Sequence, residues 1–173
     1  MLIVARPLAS DHPAFYARYI EAAVGGDLSE ALHHATQALR ETCNLFPLDR
    51  FDHRYAPEKW TVKEVLVHLI DSERVFAYRA LRFARNDGTP LPGFEQDDYV
   101  PESRAGARTI ASILREQDAV REATLTLFAS FDEQAMARTG TANGNRVSVA
   151  ALGWIIAGHA MHHIHILRER YLH

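Results

Sequence analysis

Four of the ten histidines fall within seven consecutive residues, His159, His162, His163 and His165, inside an apolar run that begins at Val147. The run has helical period. Leu152, Ile155, Ile156, His159, His163, Ile166 and Leu167 share one stripe, so His159 and His163 stand where aliphatic side chains belong. Imidazoles four residues apart on one helix face are close enough to share a metal ion. A third ligand must come from another element, and His68, at the edge of an inward helix face, is the candidate. Three neutral imidazoles hold a divalent first-row metal and leave positions open for water or substrate. That is the pattern of a catalytic site, because structural zinc sites are closed by four ligands. Without sulfur or carboxylate ligands the site stays cationic and can stabilise hydroxide or thiolate. Donor chemistry alone does not choose between zinc, nickel, iron and manganese. A single histidine on an apolar face is ordinarily a satisfied core residue; two on one stripe with a third on another inward face point to metal.

The other polar residues near these positions have plainer readings beside the chemical ones. Glu64 and Asp71 flank His68 and can orient it or act as a base, while helix capping and surface solvation explain them nearly as well. Arg79, about three turns beyond His68, can hold a carboxylate of a small cofactor, though a surface ion pair is the plainer role. His162 and His165 face away from the pair and read as supporting or exposed. His33 and His34 lie off the centre of their stripe and read as solvated or boundary residues. Gln117 interrupts an apolar stripe, either as an inward polar group near the site or at its boundary. Cys43, the single cysteine, shares a stripe with Leu32, Ala35, Leu39 and Phe46 and reads as a buried small hydrophobe.

Positioning these residues requires long amphipathic helices, and the chain supplies four. They span about 29–46, closed by Pro47; 61–85, opened by the capping sequence Thr61-Val62-Lys63-Glu64; 109–131; and 148–171, capped by Ser148. A shorter helix is expected at 11–24, with Pro13 in its first turn and Gly25-Gly26 at its end. Residues 86–107 show no periodicity and read as a crossover or lid. Asn143-Gly144 suits a tight hairpin. The expected architecture is all-α, a four-helix bundle with a short extra N-terminal helix. If His68 meets His163, the start of 61–85 and the end of 148–171 share one end of the bundle, so those helices are antiparallel. The crossover then leaves 61–85 and 109–131 parallel.

At 173 residues the chain is most simply one domain, 1–173, with a core of ordinary size. Its net charge of −3 gives nucleic acid no encouragement. The opening Met1-Leu2-Ile3-Val4 run is too short for a signal peptide, and the apolar stretch around 147–161 is interrupted by Ser148, Gly153, Gly158 and His159. A cytoplasmic protein without membrane or nucleic-acid partners is the expectation. Phe94, Tyr99 and the aromatic residues of the first helix could pack on a second copy, giving a homodimer.

The stretch from Trp60 to Glu73, WTVKEVLVHLIDSE, followed by Gly158-His159-Ala160-Met161-His162-His163, resembles the DinB-like (YfiT-like) family of metal-dependent enzymes. The likeness continues through Arg79–Arg85 and the loop Pro90-Leu91-Pro92-Gly93-Phe94, so it covers nearly the whole chain. The resemblance implies a bundle in up-down-down-up order and a metal held by His68, His159 and His163. Relatives of that kind include bacillithiol S-transferases and, more distantly, mycothiol-dependent isomerases. The expected function is therefore a metal-dependent S-transferase that activates a low-molecular-weight thiol against a small-molecule electrophile. The rivals are a metal-dependent hydrolase and a non-catalytic metal- or ligand-binding stress protein.

Overall fold

The computed structural model of the protein describes residues 3–172. Met1 and Leu2, the head of the short apolar start, lie outside the described residues, as does His173. Helix α1 (Ala17–Ala22) is followed by four long helices, interrupted by shorter ones: α2 (Leu28–Asn44), α3 (Val62–Ala84), α4 (Gln96–Glu102), α5 (Ile110–Ala129), α6 (Glu133–Ala137) and α7 (Val149–Ile166). A hairpin of β1 (Thr139–Ala142) and β2 (Asn145–Ser148) leads into α7.

The long helices begin where side chains can take up free amides. Asp27, Thr61, Thr109 and Ser148 each accept from the backbone N–H three residues on. At α3 the bond is reciprocal, with the Thr61 N–H donating to Glu64 Oε2 at 2.6 Å. The last helix continues beyond α7 in a π-helical turn, Leu167–Tyr171.

Two apolar clusters fix the helix directions. One joins the start of α2, the end of α3, the end of α5 and the start of α7, through Leu32, Phe83, Phe128 and Trp154. The other joins the opposite halves, through Leu39, Leu66, Ile113 and Ile164. Helices α2 and α7 therefore run one way and α3 and α5 the other, which is the up-down-down-up order. Among the described residues, no helix is long and apolar enough to cross a membrane.

Two expectations change. The N-terminal helix does not span 11–24. His12 is extended (φ −152°, ψ 158°), Ala14–Tyr16 is a 3-10 turn, and α-helical bonding begins only at Ala17. A residue before proline is pushed out of the α region, so Pro13 delays the helix it was expected to start. The segment 86–107 is not wholly irregular. It contains α4 and a 3-10 turn at Ala105–Ala107, too short for an apolar period to show. The same segment is stitched to the hairpin: Leu91 N–H donates to Thr141 O at 2.9 Å, and Asn143 N–H donates to Leu91 O at 3.0 Å. Asn143 and Gly144 both have positive φ (48° and 72°), as a tight hairpin requires.

Candidate metal centre

Helices α3 and α7 are antiparallel neighbours, and their contact brings His68 opposite His159 and His163. One ring nitrogen from each lies within 4.8 Å of the other two. The Nε2 atoms of His68 and His159 are 3.2 Å apart. His68 and His159 are buried and His163 is half-buried. Burial lowers the His68 pKa to about 4 and that of His163 to about 3, the latter also through His68. His159 is pushed well below the usual imidazole range by burial and by the neighbouring His163 and His68. All three are neutral at pH 7 with lone pairs available, the state that metal ligation needs.

Neighbouring side chains fix the rings. Ser72, one turn after His68, places Oγ 3.5 Å from His68 Nδ1. Trp60 packs against His68 with ring centroids 4.8 Å apart. Tyr19 stands edge-on to His159 at 5.1 Å and also contacts His162. This contact depends on Gly158: a Cβ there would lie 1.6 Å from the Tyr19 carbonyl oxygen, so only glycine lets α1 pass this close to α7.

The remaining candidates are not all brought to the cluster. Glu64 is held in the α3 capping box, one turn before His68. Asp71 stands among Arg74, Arg108 and Glu116, with its carboxyl pKa raised chiefly by burial. Arg79 is not in a surface ion pair. It is 4% exposed, donates to the Pro92 carbonyl at 2.9 Å, and has no carboxylate within 4 Å among the described residues. Gln117 does point inward, donating to Glu73 Oε2 at 3.3 Å beside His159. His165, His33 and His34 are exposed and His162 is half-buried, as read. Cys43 is buried, its thiol pushed up to about 12 by that burial.

Sequence reasoning missed the buried pair Glu73–Arg121. Both Arg121 Nε and a terminal nitrogen donate to the carboxylate at 2.8 Å, and Arg121 also donates to Leu32 O at 2.7 Å. The available signal was Gln117 and Arg121, polar residues one turn apart within an apolar stripe. The roles of Trp60, Tyr19 and Phe94 had no local signal, because each arises from contact between distant elements.

A cavity of about 260 Å³ opens onto His68 and His159. Phe15, Tyr16, Tyr19, Phe76, Phe94 and Arg79 contribute to its walls. Phe94 is thus partly accounted for within the chain, packing on Tyr99 at 5.4 Å, whereas Tyr99 itself is 47% exposed.

A four-helix bundle with three inward imidazoles converging beside a cavity has the donor set of an open metal site, and the residues fit a single ion. The profile of the DinB superfamily matches residues 31–167, and the chain belongs to that superfamily. No curated protein matches it in sequence. Among solved structures it is similar to YfiT from Bacillus subtilis, described as a probable metal-dependent hydrolase with an unusual four-helix bundle topology. The TM-score is 0.70 at 15% identity, over 94% of this chain and 89% of that one. At such identity the likeness is one of fold.

Proposed function

We propose that His68, His159 and His163 hold one divalent metal ion, and that the chain is a metal-dependent enzyme for a small molecule admitted through the cavity beside them. The convergence of three imidazoles that burial keeps neutral carries this reading. An ion bound there supplies Lewis acidity, which acidifies a water or thiol ligand. Ser72 orients His68, while Trp60, Tyr19 and Phe76 shield the imidazoles from solvent.

Of the two carboxylates that could have served as a base, Glu64 is held in the α3 capping box, and Asp71 does not line the cavity that reaches His68 and His159. A nucleophile that ionises readily near neutral pH suits such a site better than one needing a strong protein base. The reaction is therefore read as transfer of a low-molecular-weight thiol to an electrophile. Cys43, buried and held as a thiol, is not that nucleophile. The second reading is hydrolysis, favoured by the likeness to YfiT.

Calorimetric titration of the metal-free chain with zinc, nickel and manganese tests the ion. One ion per chain is expected, with affinity sharply reduced in His68→Ala, His159→Ala and His163→Ala and unchanged in His33→Ala. Unaltered affinity in His163→Ala would remove the metal assignment. The loaded protein is then assayed with 1-chloro-2,4-dinitrobenzene plus a thiol, and separately with p-nitrophenyl acetate. Thiol-dependent release of chloride selects transfer, and thiol-independent ester cleavage selects hydrolysis.

A further inference from the structure

Two arginines are buried in the bundle, and they are built differently. Arg121 has its counter-charge in Glu73. Arg79 has none among the described residues within 4 Å, although it is 4% exposed and lines the cavity that reaches His68 and His159. Its guanidinium lies 5.8 Å from the centre of the Phe76 ring and 5.9 Å from that of Phe94, with the Tyr16 hydroxyl beside it. Its neutral partners are the Pro92 carbonyl and the Tyr16 hydroxyl, and its side chain forms part of the cavity wall. Burying a cation without a counter-charge is costly, and a ligand anion removes that cost.

We infer that Arg79 is the anchor for a carboxylate on the substrate, at the far end of the molecule from the reacting bond. The inference rests on the proposed function only in taking the histidines as the reacting end. Ser72, Phe76 and Arg79 follow His68 on the same side of α3. Eleven residues separate His68 from Arg79, roughly 16 Å of helix rise at 1.5 Å per residue. The Phe76 ring bridges the two ends of the cavity, 5.8 Å from the guanidinium and 6.2 Å from the His159 ring. The substrate class is thus an elongated monocarboxylate with an apolar or aromatic body, which Phe76 and Phe94 flank. Bidentate pairing of a guanidinium with a carboxylate supplies the selectivity.

The test is NMR titration of 4-phenylbutyrate against 4-phenylbutyramide, on metal-free and zinc-loaded protein, wild type and Arg79→Gln. Wild type should prefer the acid by about tenfold or more, as expected for hydrogen bonds to a charged group, and should do so without metal. Arg79→Gln, with folding checked by its melting temperature, should bind the two alike. Equal binding of acid and amide by wild type overturns the inference, as does an acid preference that survives in Arg79→Gln. A preference confined to the zinc-loaded protein and indifferent to Arg79 also overturns it, since the carboxylate would then be ligating the ion. Should Arg79→Gln not fold, the Arg79 Nε resonance of wild type decides: a shift with the acid alone supports the anchor, and no shift overturns it. Acid preference in a protein that binds no metal leaves the anchor standing and removes only the metal reading.

Discussion

At the scale of single residues, the candidate site depends on one absence of a side chain as much as on three imidazoles. Gly158 precedes His159 in α7, and a Cβ at that position would meet the Tyr19 carbonyl oxygen at 1.6 Å. Alanine there would favour the isolated helix by about 1 kcal/mol, but α1 would have to move away, taking Tyr19 off His159. Overpacking of this kind costs typically about 1–3 kcal/mol. Gly158→Ala is therefore expected to lower stability in urea unfolding despite its better helix propensity; equal or greater stability would mean that α1 is not held against α7 at this point. The histidines were legible because two of them break an aliphatic stripe at helical spacing. Gly158 stood in the same motif, yet its reason was not legible: what it makes room for is a backbone atom 139 positions earlier in the chain, at Tyr19.

At the scale of elements, the bundle is divided by a buried polar layer. His68, Glu73, Gln117, Arg121 and His159 sit where the two apolar clusters meet. Arg121 ties three helices at once, through Glu73 on α3 and through Leu32 O and Thr36 Oγ1 on α2. Removing one partner of such a pair leaves a buried charge uncompensated, at a cost of about 3–5 kcal/mol. Glu73→Ala and Arg121→Ala should each show that loss in equilibrium denaturation, with the double variant less destabilised than the sum of the two. Additive losses would mean that the two groups are stabilised separately. The long helices were legible from apolar period and capping residues, and their directions from the assumption that His68 meets His163. Helix α4 was not, because seven residues with Asp97, Asp98 and Pro101 among them carry no apolar repeat. Nor was the start of α1, where Pro13 reads equally well as a first-turn residue and as the residue that holds its predecessor extended.

At the scale of the whole molecule, two buried acids, one in the core and one at the bundle's end, set a limit on the high-pH side. Cys43 packs in the core between α2 and its neighbours, and burial raises its pKa from 9.0 to about 12. Tyr171 closes the last helical turn by donating to the Trp60 carbonyl at 2.7 Å, and burial, with Tyr55 and Glu64 nearby, raises its pKa from 10.0 to about 12. Both groups keep their protons in the folded state through a range where the unfolded chain has lost them. Unfolding therefore releases protons between about pH 9 and 12, and rising pH favours the unfolded state there. Below about pH 8 both groups stay protonated in either state, so neither makes stability depend on pH there. Urea midpoints measured from pH 8 to 11 should fall steadily above pH 9. Cys43→Ala should remove the earlier part of that fall, and Tyr171→Phe should reduce the later part, to which Tyr16, its pKa also raised chiefly by burial, contributes. Midpoints that stay level to pH 11 would mean that the thiol and the phenol reach solvent in the folded protein, and that the apolar packing around Cys43 and the closure of the last turn over Trp60 are looser than the fold describes.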